Sequence, residues 1–252
     1  MDKTLVKGVN LLQYLVESSG SCTVSGIAKA LGLQPSNVHR TLQTWCALGF
    51  VVQSPQTGEY HCTLRLFEWG SKVAGSVNVR RLAHEHLLQL AQSSQETIHL
   101  SVLEGAEIVY LDKIDSPQPV RAYSEVGGRA PAHCVATGKA LLAVQSEAVL
   151  TSLPKPWCRP TTNTVKTLAA LQKELALVRA TGYAVNREEW RVGVSGLGAV
   201  IRDQNGRAIA AVGLSAPSSR MGAARIRQLG LLLMETTNQI SRAMGGVRVS
   251  SP

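Results

Sequence analysis

The stretch "LGLQPSNVHRTLQTWCALGF", Leu31 to Phe50, sets a glycine and a proline just ahead of a run with helical spacing. Pro35 suits the first turn of a helix, where its missing N–H would have no partner anyway. Val38, Leu42 and Trp45 then recur on one face. Between them stand Ser36, Asn37, His39, Arg40, Thr41 and Gln43, all hydrogen-bonding groups close to the helix start. Taken alone, such a mixture reads as a solvated face. Its neighbours change the reading.

Upstream, Leu5, Val9, Leu12 and Val16 form one apolar face of a helix from about Thr4 to Ser18, ended by Ser19-Gly20-Ser21. A second short helix is expected over Val24 to Leu31, with Ile27 and Leu31 on its inner side beside the small Ala28. Gly32 then fits the position after a helix, where the backbone turns left-handed. Downstream, "FVVQ" and "EYHCT" flank "SPQTG", whose Pro55 and Gly58 are turn residues. Three helices with a glycine turn between the second and third, followed by a hairpin, make a winged helix-turn-helix. In that geometry the start of the third helix enters the major groove. Arg40 suits a guanine and Asn37 an adenine, whereas Ser36 and Thr41 suit phosphates. Ser36, Asn37, His39, Arg40, Thr41 and Gln43 are therefore the expected DNA-binding residues.

The chain has 252 residues, enough for two domains that each bury a core. Hydrophobic residues make up 44% and charged residues 17%, a globular balance rather than a disordered one. Net charge is +9, but residues 1–76 hold only 6 Lys/Arg against 4 Asp/Glu. Charge does not single out the first segment as a DNA binder, so that claim rests on the motif. Five cysteines without C-x-x-C spacing argue against both a disulfide framework and a zinc site. No apolar run approaches the roughly 20 residues that span a bilayer, and no signal peptide is legible. The expectation is a cytoplasmic protein without membrane contact.

The chain resembles the IclR family of bacterial transcription regulators. The resemblance is carried by "GLQPSNVHRTLQTWCALGFV", "YHCTLRLFEWG" (Tyr60–Gly70), "LEGAEIVYLDKI" (Leu103–Ile114), "VGGRAPAHCVATGKALLA" (Val126–Ala143) and "TGYAVNREE" (Thr181–Glu189), in the family's order and spacing over nearly the whole chain. It implies a DNA-binding domain over residues 1–63, a linker helix over 64–78, and an effector-binding and oligomerisation domain of GAF-like fold over 79–252. Phe67 and Trp69 of the linker would pack on the DNA module or on a partner chain. A break is expected near Gly75 to Asn78.

Beyond Ser94 the pattern mixes strands and helices. "TIHLSVL" and "EIVYLDKI" flank Glu104-Gly105 as a hairpin, "AYSEVGGRA" reads as a strand leading into a glycine turn, and "AIAAVGLSA" as a further strand. Leu168, Leu171, Leu175 and Val178 mark a helix closed by Gly182, and Ile226, Leu229, Leu233, Ile240 and Met244 a long final one. The fold class is α+β, with a central antiparallel sheet in the second domain.

"VATGKALLA" is not a Walker A loop: His133 stands where the first glycine belongs, and Ala140 follows Lys139. "GVSGLGAV" (Gly193–Val200) lacks dinucleotide spacing, so no cofactor is expected. Ala136 and Thr137 instead open a helix to about Val144, whose free N–H groups favour an anion. The resemblance implies that this turn holds the carboxylate of a small effector, with Asn186, Gly196, Gly213 and Ser215 completing the site. The family often has Asp, Cys and Ser at the positions of Asn186, Gly196 and Gly213. The two glycines would open volume for an aromatic or longer acid, and Asn186 would add a donor. If neighbours fill that space, the pocket is vestigial. His99 fits either the pocket or the core. His84 and His86 lie two apart on a helix with no metal partner in sight.

The leading reading is a ligand-responsive regulator of a catabolic operon, activator or repressor, that binds a near-palindromic operator as a homodimer or dimer of dimers. Two other classes compete. A thiol enzyme built on Cys134 lacks a positioned base, since His133 is its sequence neighbour. A winged-helix protein making only protein contacts would show no salt-dependent promoter binding.

Overall fold

In the computed structural model the chain divides into two compact units, Met1–Ser76 and Val77–Pro252. The structure describes residues 1–18, 22–75, 78–121 and 124–245, with the backbone alone for 71–75 and 78. Ser19-Gly20-Ser21, the residues between Gly75 and Asn78, and the start of "AYSEVGGRA" lie outside the described residues.

The first unit begins with α1 (Lys3–Glu17), capped by the Asp2 carboxylate, which accepts from the N–H groups of Thr4 and Leu5. Then come α2 (Val24–Leu31) and α3 (Pro35–Ala47). Gly32 turns between them at φ +62°, and Leu33 N–H donates to the Ala28 carbonyl at 2.9 Å. Strands β1 (Val51–Gln53) and β2 (Tyr60–Cys62) pair antiparallel as the wing. The core is Leu11, Leu15, Ile27, Val38, Leu42 and Tyr60, all buried. Each fully buried Leu or Ile contributes about 1.5–3 kcal/mol.

One expectation fails here. The inner face of α1 is Gly8, Leu11 and Leu15, and of the Leu5–Val9–Leu12–Val16 stripe Leu12 alone packs against the core. Leu5, Val9 and Val16 are 61, 49 and 57% exposed. Helix α1 has apolar residues on two sides, and spacing does not say which side is buried. Trp45 packs on the buried side, and its indole N–H donates to the Gly8 carbonyl at 3.2 Å.

Helix α4 (Arg65–Gly75) follows the wing. Trp69 stacks edge-on against Phe50 with ring centroids 4.4 Å apart, so it does pack on the DNA module, while Phe67 is 70% exposed.

The second unit holds a six-stranded antiparallel sheet in the order β5-β4-β3-β8-β7-β6. Its strands are β3 (Thr97–Glu104), β4 (Glu107–Ile114), β5 (Arg129–Pro131), β6 (Ala184–Arg187), β7 (Val194–Arg202) and β8 (Ala208–Pro217). In "AYSEVGGRA" a strand, β5, follows the glycine turn, and Ser124 and Glu125 ahead of the turn are not in a strand. "GVSGLGAV" lies largely in β7, next to β8 within the sheet. Along β3, β7 and β8 alternate residues face opposite ways. Ile98, Leu100, Leu197, Val212 and Leu214 point into a core shared with α5 (Asn78–Ser94) and α9 (Ala223–Ala243). The opposite face packs against α6 (Ala136–Leu142), α7 (Glu147–Thr151) and α8 (Leu168–Thr181). That second face carries His99, Gly213 and Ser215. Among the described residues no helix is long and apolar enough to cross a membrane.

Candidate functional site

On α3, Ser36, Asn37, His39, Arg40 and Gln43 are exposed, while Val38 and Leu42 are buried. The Arg40 guanidinium donates to the Asn37 side-chain oxygen at 3.2 Å, so the two act as one donor–acceptor group. Thr41 is half-buried, and its hydroxyl donates to the Asn37 carbonyl at 2.9 Å, which turns it toward its own helix. Gln43 donates to the Tyr60 hydroxyl at 3.3 Å, tying α3 to the wing.

In the second unit Ala136, Thr137, Asn186, Gly196, Gly213 and Ser215 line one cavity of about 340 Å³, together with His99. They come from α6, β6, β7, β8 and β3. Residue type explains the close approach of α6 to the sheet. A Cβ on Gly198 would lie 2.5 Å from the Ala136 carbonyl oxygen, and one on Gly138 would lie 2.2 Å from the Ala132 carbonyl oxygen. Any side chain at either position would push the helix start out of place. N–H groups of that first turn have no carbonyl within the helix to bond.

The opening of volume expected at Gly213 is not what the structure contains. A Cβ there would stand 2.5 Å from the Thr137 methyl, so Thr137 already fills that hollow. The rings of Tyr110 and Trp190 also line the cavity.

His99 bridges two hydroxyls, Nε2 to Ser215 and Nδ1 to Ser124, each at 3.0 Å. Burial, reinforced by Lys113 and opposed by Asp115, pushes its pKa down to about 4. The ring is therefore neutral at pH 7 and offers one donor and one acceptor. Burial also pushes the Tyr110 phenol up to about 12. Arg121, Arg129 and Arg191 stand around the cavity. Arg129 pairs with Glu104 and Glu107. The Asn186 side-chain oxygen accepts from Glu189 N–H at 2.9 Å, which leaves its NH₂ as the group to offer a ligand.

Sequence reasoning missed a buried ion pair behind this site. Lys139 Nζ, 1% exposed, lies 2.7 and 2.8 Å from the two carboxylate oxygens of Glu189 and 2.6 Å from Glu174. It bolts α6 to the segment that carries Asn186. Burial raises the Glu189 carboxyl pKa against the opposing pull of Lys139. The signal was present, a lysine inside an apolar helix and a Glu-Glu pair after a strand, but nothing local joins them.

Cys134 is buried, and burial pushes its thiol up to about 12. His133 Nε2 bonds the Cys158 carbonyl at 2.9 Å instead of the thiol. This is the reverse of an activated nucleophile.

The model of the IclR helix-turn-helix domain matches residues 4–55, and that of the bacterial transcriptional regulator IclR C-terminal domain matches residues 71–242. The HTH-type transcriptional regulator XynR of Escherichia coli K12 is 34% identical over 246 residues, covering 96% of this chain and 97% of that one. Among solved structures, the Thermotoga maritima IclR shares 31% identity at a TM-score of 0.82, over 97% of this chain and all of that one. An IclR homologue from Microbacterium hydrocarbonoxydans, complexed with 4-hydroxybenzoate, shares 25% identity at a TM-score of 0.84, covering 96% of this chain and 99% of that one.

Proposed function

Because this chain belongs to the IclR family of bacterial transcriptional regulators, we propose that it controls a catabolic operon in answer to a small organic acid. The carrying observation is that six residues scattered through the second domain, together with His99, line a single cavity. The acid's carboxylate meets the first turn of α6, and its body lies beside Tyr110 and Trp190. At about 340 Å³ the cavity suits an aromatic or longer carboxylate better than a two- or three-carbon one. The complex of a relative with 4-hydroxybenzoate supports that size class.

The protein acts in the cytoplasm, on double-stranded DNA. Asn37 and Arg40 read bases, Ser36 and His39 lie beside them, and Thr41 and Gln43 hold the helix in place. As a homodimer or a dimer of dimers it reads a near-palindromic operator, with the exposed apolar residues Leu5, Val9 and Val16 of α1 and Phe67 of α4 offered to a second copy. Effector binding shifts the equilibrium between two placements of the DNA modules, which requires different affinity for the two.

Thermal shift against a panel of carboxylates, with promoter gel shifts at rising salt, tests the reading. Stabilisation by aromatic or longer acids and salt-sensitive promoter binding are expected. Stabilisation by glyoxylate- or pyruvate-sized acids alone would sink the size class, and binding indifferent to salt would sink the DNA role.

A further inference from the structure

Thr137 is only 4% exposed and lines the cavity. Its methyl group occupies the hollow left by Gly213, 2.5 Å from where a Cβ would stand. The backbone behind it has no room to withdraw, because a Cβ on Gly198 would lie 2.6 Å from Thr137 N. A β-branched side chain has few rotamers, so seating the methyl fixes the direction of the hydroxyl. Buried hydroxyls are almost always hydrogen-bonded, yet among the described residues this one has no partner. Nor is it sealed in: among the described residues the buried side-chain atoms left unpaired are His86 Nδ1, Ser101 Oγ and Trp157 Nε1. The Thr137 hydroxyl thus opens onto the cavity.

We propose that this hydroxyl donates to the carboxylate of the effector, and that the fit of the Thr137 methyl against Gly213 aims it. Thr137 then determines specificity through its side chain, beyond the contribution of its backbone N–H. The inference rests on the acid-sensing reading above.

Isothermal titration with benzoate, 4-hydroxybenzoate, pyruvate and glyoxylate tests it, on the full chain and on two variants. Thr137→Val keeps the methyl fit and removes the hydroxyl. It weakens whichever of the four acids the unaltered protein binds best by about tenfold to a hundredfold, the loss of one hydrogen bond to a charged acceptor. Thr137→Ser keeps the hydroxyl without its seat and loses less than Val does. If Val binds as tightly as the unaltered protein, or if Ser and Val fall by the same factor, the inference is overturned while the acid-sensing reading stands. An unaltered protein that binds none of the four overturns both. Circular dichroism of each variant separates lost binding from lost fold, and where Val does not fold, a Ser variant that folds but binds none of the four acids overturns the inference.

Discussion

Lys139 Nζ sits 2.7 and 2.8 Å from the two carboxylate oxygens of Glu189, and both residues are shut away from solvent. Removing one member of such a pair strands the other as an uncompensated charge. Lys139→Met is expected to cost about 3–5 kcal/mol of unfolding free energy. Joint replacement by apolar residues should cost far less. Urea melts of the two single variants and the double variant measure this, and additive losses would mean that the pair does not act as a unit.

His99 links stability to acidity. Its pKa falls from an ordinary 6.5 to about 4 in the folded chain. The unfolded chain takes up the proton first as pH falls. The contribution is therefore fully present above about pH 6.5 and is lost progressively down to about pH 4, amounting to about 3 kcal/mol. Denaturation at pH 7, 5.5 and 4 should show this slope, and His99→Gln should flatten it. An equal slope in the variant would assign the effect to other groups.

Arg40→Ala is expected to weaken specific DNA binding by about 1–3 kcal/mol if the guanidinium reads a guanine. It also removes the partner of the Asn37 side-chain oxygen, so discrimination should relax at neighbouring positions too. Equal loss on operator and random DNA would make Arg40 a phosphate contact instead.

Asn186→Leu should abolish the thermal shift given by organic acids while leaving operator affinity intact. It strips Glu189 N–H of its acceptor, so a stability loss of about 1–3 kcal/mol should accompany it. Retention of the acid response would remove Asn186 from the site.

Gly138→Ala tests the seat of α6. The new methyl would stand 2.2 Å from a backbone oxygen, which cannot swing aside as a side chain can. A loss of about 1–3 kcal/mol or more is expected, together with loss of acid binding. A neutral variant would show that the helix start can shift freely.

The winged module was legible because its signals are local. Pro35, Gly32 and the Val38–Leu42 spacing each act within a turn or two, and α2 (Val24–Leu31) falls on the residues expected. The buried side of α1 was not legible, since the helix carries apolar residues on two sides and the neighbours that cover one of them, Trp45 among them, come from far along the chain. Strands β6 and β7 were missed for a related reason. In β7, Gly196 and Gly198 weaken strand propensity, yet a Cβ on Gly198 would run into the start of α6 and one on Gly196 into the β8 backbone; β6 is only four residues long. The cavity residues were placed by resemblance, not by any pattern in their own neighbourhoods. Their meeting depends on strand pairing, as does the Lys139–Glu189 contact.

His99 and Ser215 share a hydrogen bond although 116 residues separate them, because β3 lies beside β8 in the sheet. During synthesis the amino-terminal module can fold while the ribosome is still making the sensor. Until β8 emerges, the nascent chain has no wall on which an acid could rest. A chain built this way completes its helix-turn-helix module before it can close the cavity of its second domain.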